Sequence, residues 1–440
     1  MTSPLEHVRD HAVRLEGRDN DYDGLLDQVG ERSLVLLGEA SHGTREFYRM
    51  RSEITRRLIL EKGFEAVVVE ADWPDALRLN RYVRGDSEDT LKQAFDDFQR
   101  FPQWMWRNTE VRDFIGWLHD HNADRPTGHQ VGFHGLDLYS LHRSAAAVIE
   151  YLEEIDPEQA QRARDGYACL DHGGDPVRYG HDAAFGLSRI CEDATVNLLA
   201  DLLDKSQAHL QPDGRRSIDE QFYAEQNARV VVNAEAYYRE MFGSRVDTWN
   251  LRDEHMADTI AELREHLIRH GGRGKIVVWA HNSHLGDAKA TDMGWHRGQH
   301  NVGQLVRRRF GDDEALLVGF TTHTGFVSAA HDWDSPVEHR RVRPSLEGSV
   351  ERLFHETGIG DFYLPLQGEV AEALRPPLLE RAIGVIYRPE SERISHYFKA
   401  SVADQFDAVF HVDETTALEP FEKGDLWRPE EVPETYPFGV

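Results

Sequence analysis

A glutamate and a histidine able to do acid–base chemistry follow the first apolar run of the chain, in the stretch SLVLLGEASHG at 33–43. Around Ser41 the stretch matches the G-x-S-x-G turn of serine hydrolases, except that Glu39 replaces the first glycine. A histidine with its ordinary pKa of ~6.5 can take a proton from water at neutral pH, whereas a serine needs a base beside it. The stretch therefore favours His42 as a general base acting on water, and predicts that Ser41 is a helix cap.

Acidic and histidine side chains also follow three other apolar runs. Glu70 follows AVVV, Asp137 follows QVGFHGL, and His281 and His284 follow KIVVWA. Taken alone, either carboxylate is more typical of a turn or a helix cap. In open α/β sheets, however, ligands bind at the carboxyl ends of the strands, so groups that follow separate strands meet at one edge. Four runs ending in this way predict a functional site.

The helix predicted after GEASHG carries an arginine among its apolar residues. Its apolar stripe consists of Phe47, Met50, Ile54 and Leu58. Arg51 falls inside that stripe, and a charge buried away from water needs a partner. Glu39 and Glu70 are the candidate partners, although a long arginine side chain can also reach the surface from such a position.

The elements that must position these residues are short apolar runs separated by helical patterns. Strands are predicted at 33–38, 66–71, 130–135, 275–280, 315–320, 382–387 and 407–412. Their unalternated, β-branched composition indicates a sheet covered on both faces. We therefore predict an α/β fold with a largely parallel, mixed sheet flanked by helices, and some antiparallel strands near the C-terminus.

One long stretch breaks this alternation, because about 144–270 reads as successive helices. We interpret 144–270 as an inserted all-helical lobe over the cleft at the carboxyl ends of the strands. Residues 1–143 and 271–425 would then form the α/β catalytic core. The proline-rich, acidic segment 426–440 is predicted to be a peripheral tail.

Composition narrows the partners and the compartment. The chain has 78 acidic and 50 basic residues, a net charge of −28, which argues against binding to nucleic acid or to anionic lipid. Only 7 of the basic residues are lysines, a balance that suggests a host with a salty cytoplasm. Two cysteines, Cys169 and Cys191, are too few for a disulfide framework and favour a reducing, cytoplasmic location. No apolar run approaches the ~18 residues of a membrane span.

Five ordered blocks carry a resemblance to a known family. They are GEASHGTREFYRMRSEITRRLI, VVVEADWPDALRLNRYV, RFPQWMWRNTEVRDFIGWL, HGLDLYSL and VVWAHNSHLGD. In this order they resemble the erythromycin esterase family from about residue 30 to about residue 415. The resemblance implies an α/β core, a helical lobe closing over a cleft, and hydrolysis of a macrolide lactone by water without a metal. At position 134 this chain has a histidine where many relatives have another residue, and we expect this difference to affect only the wall of the cleft.

The resemblance also implies roles for individual residues. His42 matches the general base, Glu39 the acid beside it, and Arg51 an arginine on the following helix. Glu70 and the pair His281 and His284 match further blocks of the family. With Glu39 or Glu70 holding the His42 ring, we expect Arg51 together with His281 or His284 to stabilise the tetrahedral oxyanion.

Substrate contacts are predicted from side chains around the cleft. Asp137 lies at the sheet edge, and Arg252, in the family-like block NLRDEHM, is predicted to face the cleft. Trp104 and Trp106 of the aromatic cluster, and Tyr238 of the helical lobe, could line an apolar pocket or pack in the core.

Three functions stay open at this point. The favoured one is a hydrolase of a small-molecule ester or lactone that needs no cofactor and whose substrate need not be a macrolide. The second is a metal-dependent hydrolase or peptidase, because His42, His281, His284 and the two glutamates could hold a divalent metal. The third is a non-catalytic ligand binder, since the wider superfamily implied by the resemblance includes haem binders.

Overall fold

The chain folds around a sheet built from apolar runs that are buried on both faces. The computed structural model describes residues 3–126, 128–170, 175–187, 190–204, 215–242, 245–424 and 427. Its strands are β1 Val13–Arg14, β2 Leu34–Leu37, β3 Ala66–Asp72, β4 Gly132–Asp137, β5 Ile276–Trp279, β6 Ala315–Ala330, β7 Val337–Val342, β8 Phe362–Pro365, β9 Leu378–Arg381, β10 Tyr397–Ala400 and β11 Ala408–Thr415. Every residue of β2, β3, β4 and β5 is buried, as expected for strands covered by helices on both sides.

The main sheet is mixed, with a parallel centre. Within the described residues it has nine strands in the order β1-β8-β11-β6-β2-β5-β3-β4, with β7 paired to β6. The neighbours from β11 to β4 are all parallel, whereas β8, β1 and β7 pair antiparallel. A second, two-stranded antiparallel sheet joins β9 and β10. The predicted fold class, including antiparallel strands toward the C-terminus, is confirmed.

Helices cover both faces of the sheet. They are α1 Pro4–His11, α2 Asp23–Val29, α3 Arg45–Lys62, α4 Trp73–Val83, α5 Thr109–Ala123, α6 Leu141–Ile155, α7 Pro157–Tyr167, α8 Pro176–Ala184, α9 Glu192–Asp204, α10 Arg215–Glu240, α11 Arg245–Arg269, α12 Asn282–Leu285, α13 Asp292–Arg297, α14 Val302–Phe310, α15 Val350–His355, α16 Gly368–Leu374, α17 Glu392–Ser395 and α18 Val402–Gln405. Val35 of β2 packs in one core cluster with Ile54 of α3, and Leu36 packs in another with Ile260 of α11. Successive residues of the strand thus point to opposite faces.

The described residues between β4 and β5 run through helices α6 to α11. A third core cluster holds residues from α6 to α10, among them Val148, Ala163, Tyr179, Leu198 and Val231. These helices lie where the sequence predicts a helical lobe. The division of the chain at residues 144 and 270 stays a prediction.

One predicted strand is wrong. Residues 382–387 form no strand and instead make isolated bridges, Ile383 to Ser41 and Ile386 to Ala330. The apolar run AIGVIY suits a single, partly buried segment outside the sheet as well as a strand. By contrast, β6 runs far beyond the predicted 315–320, because it continues into a hairpin with β7.

Three further observations concern the cysteines, the tail and membranes. Cys169 and Cys191, expected from the sequence to be reduced, are paired in a disulfide. Most of the predicted tail 426–440 lies outside the described residues, apart from Trp427, whose indole N–H donates to Ser328 Oγ at 2.7 Å. None of the helices that the structure describes has the length and apolar character needed to cross a bilayer.

Candidate active site

The carboxyl ends of four adjacent parallel strands deliver the predicted site residues. β2, β5, β3 and β4 are neighbours in that order. The residues that they deliver are Glu39 and His42 after β2, His281 and His284 after β5, Glu70 within β3, and Asp137 at the end of β4. The convergence predicted from the sequence is therefore what the topology produces, because parallel neighbours end at the same edge.

Glu39 holds His42 in one orientation. The Nδ1–H of His42 donates to Glu39 Oε1 at 2.9 Å, and Glu39 has no exposed surface. Since Nδ1 carries the proton, the lone pair of the ring is on Nε2. His42 is also one of the side chains that line a cavity at the sheet edge. Its ring is therefore placed to act as a base on a molecule in that cavity.

Arg51 is the partner of Glu39. Its Nη2 donates to Glu39 Oε2 at 2.7 Å, and its guanidinium lies 4.3 Å from the centroid of the Tyr48 ring. The ion pair predicted from the helical pattern is therefore present, with Glu39 and not Glu70 as the partner. Arg51 is fully buried and belongs to the wall behind Glu39, so it acts on the site through that carboxylate.

Arg252 joins three of the other groups. Its Nε donates to Asp137 Oδ1 at 2.9 Å, and its Nη2 donates to Asp137 Oδ2 and to Glu70 Oε1, both at 2.7 Å. Its Nη1 lies 3.1 Å from His284 Nε2. Burial alone would lower the pKa of Arg252, but the carboxylate of Asp137 raises it well above its usual value. The arginine thus comes from α11 to bind two strands of the sheet together.

Glu70 is bound on both oxygens. Oε1 accepts from Arg252, and Oε2 accepts from the backbone N–H of His281 at 2.9 Å. Burial raises the pKa of Glu70, but the electrostatic interactions with His284 and with the guanidinium of Arg252 outweigh it and hold this pKa well below its usual range. Glu70 is therefore a fixed anion that supports the site, and the Nδ1–H of His42 donates to Glu39 instead.

The two histidines after β5 have different environments. The Ser283 backbone N–H donates to His281 Nδ1 at 3.2 Å, which leaves the ring proton on Nε2. Burial and the neighbouring His42, whose ring centroid is 5.0 Å away, lower the pKa of His281 to about 3. His281 is therefore a neutral hydrogen-bond donor.

His284 is buried between two carboxylates and the indole ring of Trp249. Its Nδ1 is 2.9 Å from Asp253 Oδ1, and its ring stacks on Trp249 at 4.6 Å between centroids. Burial lowers the pKa of His284, but the carboxylates of Asp253 and Glu70 outweigh it and raise the pKa above its usual value. Sequence reasoning missed Asp253 and Trp249, although Asp253 directly follows Arg252 in NLRDEHM.

The cavity beside His42 has a volume of about 190 Å³. Its lining consists of His42, Glu70, Ala71, Asp72, Asp75, Phe98, Arg100, Phe101, Pro102, Gln103, Met105, Trp106, Asp137, Tyr139, Arg252, Trp333 and Val385. Asp72, Asp75, Arg100 and Tyr139 were not predicted. The available signal for Asp72, Asp75 and Tyr139 was their closeness in sequence to Glu70 or Asp137, whereas Arg100 is the first residue of the aromatic block RFPQWMWRN.

The aromatic residues predicted to contact substrate take different positions. Trp106 lines the cavity, and its indole N–H donates to the Glu70 carbonyl at 3.1 Å. Trp104 packs in the core cluster of the sheet, whereas Tyr238 packs in the helical cluster and donates to the Tyr139 carbonyl at 3.0 Å. His134 stacks on Trp73 in the protein interior, away from the residues lining the cavity.

A metal at this site would need several free ligands close together. In the part of the chain that the structure describes, no group of three or more His, Cys, Asp or Glu side chains is arranged to hold a metal ion. Glu70 and Asp137 instead surround the guanidinium of Arg252.

Solved structures share this fold. The chain aligns with a Bacillus cereus protein at 21% identity and a TM-score of 0.78, covering 95% of this chain and 98% of that one. It aligns with a succinoglycan biosynthesis protein at 20% identity and a TM-score of 0.77, over 94% and 97%. A mutant of the erythromycin esterase EreC in its open conformation aligns at 18% identity and a TM-score of 0.64, over 92% and 97%.

Sequence comparison identifies the family. The chain is 21% identical over 439 residues to the erythromycin esterase type II of Escherichia coli, covering 94% of this chain and 98% of that protein. The sequence model of the erythromycin esterase family matches residues 59–415. That match spans most of the chain, including the residues that follow β3, β4 and β5. The protein therefore belongs to the erythromycin esterase family.

Proposed function

We propose that the protein is a hydrolase in which His42 activates water to cleave a carboxylic ester or lactone. The observation that carries the proposal is the buried hydrogen bond between Glu39 and the Nδ1–H of His42, with the same ring lining a cavity. This arrangement makes Nε2 the basic atom and gives it access to a bound molecule. Membership of the erythromycin esterase family also supports a hydrolase.

The reaction would use water as the nucleophile. His42 Nε2 takes a proton from water while the water oxygen bonds to the carbonyl carbon and the carbonyl electrons move to its oxygen. Glu39 then stabilises the imidazolium, as a carboxylate beside a catalytic histidine does. When the intermediate collapses, the bond from the carbonyl carbon to the leaving oxygen breaks and His42 returns its proton to that oxygen. The products are a carboxylic acid and an alcohol.

The negative charge of the intermediate needs a donor, and we assign that role to His281, which packs against the His42 ring from outside the set of residues lining the cavity. Its neutral ring holds a proton on Nε2 and lies next to His42. A neutral imidazole donates to an oxyanion without placing a second positive charge beside the imidazolium of His42. Arg51 is buried behind Glu39, so its part is to hold the carboxylate.

Ser41 is not the nucleophile in this proposal. It is buried and its hydroxyl is hydrogen-bonded to the hydroxyl of Thr44. Glu39, not Ser41, is the residue bonded to the His42 ring. The serine is therefore held in the turn between β2 and α3, but the expectation that it caps the helix is wrong, because the N-cap residue of α3 is Thr44.

A macrolide is not part of the proposal. Cavities that enclose drug-sized ligands measure ~300–1,000 Å³, and the cavity beside His42 measures about 190 Å³. The size of this cavity supports a smaller ester or lactone.

The test is a panel of esters and lactones, macrolides included, assayed at molar salt. The wild type should hydrolyse at least one class, His42→Ala should lose turnover by ~10²–10⁴-fold, and Ser41→Ala should keep most of it. A Ser41→Ala variant that is folded and inactive, or a wild type that accumulates an acyl-enzyme, would contradict water attack.

The metal-dependent alternative has its own test. We expect activity to persist after exhaustive chelation, because Glu70 and Asp137 bind Arg252, whose positive charge would repel a cation at that position. Loss of activity that zinc or manganese restores would favour the metal-dependent hydrolase. A purified protein with a Soret band would favour the haem-type binder.

A further inference from the structure

The cavity beside His42 carries an excess of carboxylates. Glu70, Asp72, Asp75 and Asp137 line it, against the two arginines Arg100 and Arg252. Both arginines lie over the ring of Tyr139, with guanidinium carbons 4.6 and 5.1 Å from its centroid. The charge of the cavity therefore depends on how these groups pair.

Both arginines of the cavity are already paired with carboxylates of the protein. Arg252 binds Asp137 and Glu70, and Arg100 binds Asp72, with Nε at 3.0 Å and Nη2 at 2.9 Å from Oδ2. An anionic substrate would have to displace one of these buried carboxylates, which leaves a charge unpaired in the interior. The cavity therefore disfavours substrates with a carboxylate or phosphate group.

Asp75 is the least compensated of the four carboxylates. It is only 5% exposed, and Oδ1 accepts from Arg143 Nη1 at 2.6 Å. Arg143, however, is 46% exposed at its side chain, and its Nη2 also binds Asp97 Oδ2 at 2.9 Å. A shared, solvated partner neutralises a buried charge weakly. Consistent with this, burial and the charge of Asp72 raise the pKa of Asp75 to about 7.

Aromatic rings complete the surroundings of this carboxylate. The same cavity is lined by Phe98, Phe101, Trp106 and Trp333, and the rings of Phe101 and Trp333 pack edge to face at 5.0 Å. A buried carboxylate together with the faces of aromatic rings is a combination that binds ammonium groups in proteins.

We propose that the substrate is a small ester carrying an ammonium group, with Asp75 and the aromatic lining of the cavity binding that group. This inference rests on the esterase function proposed above. The volume of about 190 Å³, below the ~300–1,000 Å³ of cavities that enclose drug-sized ligands, favours a small substrate. A short acyl chain and a compact amine fill such a space, with the carbonyl beside His42.

The test compares two esters of the same shape that differ in charge, acetylcholine and 3,3-dimethylbutyl acetate, at fixed ionic strength. We expect the wild type to prefer the cationic ester by at least tenfold in kcat/KM. Asp75→Asn should bring that ratio close to one, whereas Asp75→Glu should retain most of it. Asp97→Asn is the matched control, because Asp97 shares Arg143 but does not line the cavity, and it should leave the ratio unchanged.

A second measurement separates this inference from the esterase function. Binding of choline to the wild type and to folded Asp75→Asn is followed by calorimetry, which needs no turnover. Binding that is weakened tenfold or more by Asp75→Asn supports the ammonium site even if no ester is hydrolysed. Hydrolysis of both esters at equal rates, or choline binding that is absent or indifferent to Asp75, overturns the inference and leaves the esterase proposal in place.

Discussion

Arg51 Nη2 and Glu39 Oε2 lie 2.7 Å apart in an ion pair with no exposed side-chain surface. The other oxygen of the same carboxylate accepts from His42. One buried carboxylate thus connects a structural charge on α3 to the proposed general base. Substitutions of Glu39 and of Arg51 should therefore affect the free energy of unfolding and the turnover to different extents.

Glu39→Gln tests the carboxylate. We expect kcat to fall by ~10²–10⁴-fold, because the amide cannot stabilise the imidazolium of His42. The free energy of unfolding should fall by about 3 kcal/mol, because Arg51 loses its buried counter-charge. Steady-state kinetics and urea unfolding measure the two effects. A folded variant with wild-type kcat would contradict the assigned role of Glu39.

The double variant Arg51→Met with Glu39→Gln separates the two effects. Removing both charges should recover much of the lost stability, since an unpaired buried charge is costlier than an apolar replacement of the pair. Activity should stay as low as in Glu39→Gln. If activity returned with stability, the single variant would have acted only through folding.

Arg252→Gln should disrupt the sheet edge. Its removal leaves Asp137 and Glu70 facing each other without the cation between them. We expect both a lower unfolding free energy, by about 3 kcal/mol, and loss of turnover. Arg269→Gln is the matched control, because Arg269 is an exposed residue on the same helix, paired with Glu265. Equal effects of the two variants would show that the position of Arg252 is unimportant.

His134 should make the protein sensitive to acid. Burial, with a smaller contribution from Arg84, lowers the pKa of His134 to about 3, against ~6.5 in an unfolded chain. As the pH falls from 6.5 toward 3, the unfolded state takes up a proton that the native state does not, so stability is lost on acidification. Between pH 7 and pH 4.5 this loss amounts to about 2.5 kcal/mol.

The comparison is with His134→Leu, which cannot titrate. Urea unfolding gives the free energy of unfolding of each protein at pH 7 and at pH 4.5. The decrease between these two pH values should be smaller for His134→Leu than for the wild type by about the amount given above, whatever the stability of the variant at pH 7. An equal loss in both proteins would mean that other groups account for the acid sensitivity.

Salt should stabilise the protein. With 78 acidic and 50 basic residues the folded chain repels itself, and salt screens that repulsion. Thermal melting should give a higher Tm in molar potassium chloride than in low salt. A Tm that does not change with salt would remove the basis for assigning the protein to a salty cytoplasm.

Much of the fold and part of the site could be predicted from the sequence, because they depend on local patterns. Unalternated apolar runs identified the parallel strands, and the order of groups after them placed Glu39, Glu70, Asp137 and His281 at one edge. The failed strand at 382–387 shows the limit, since an apolar run also suits a single buried segment. The disulfide between Cys169 and Cys191 depends on packing within the helices, which spacing does not reveal.

The sequence by itself determined which residue types follow the central strands, and the helical period that buries Arg51. Only the tertiary structure decided how these groups pair. Arg51 pairs with Glu39 and not with Glu70, while Arg252 reaches Glu70 and Asp137 from a helix far away in sequence. Asp75 lines the cavity from the first turn of α4. Pairing of charges depends on distances across the fold, and no local pattern contains those distances.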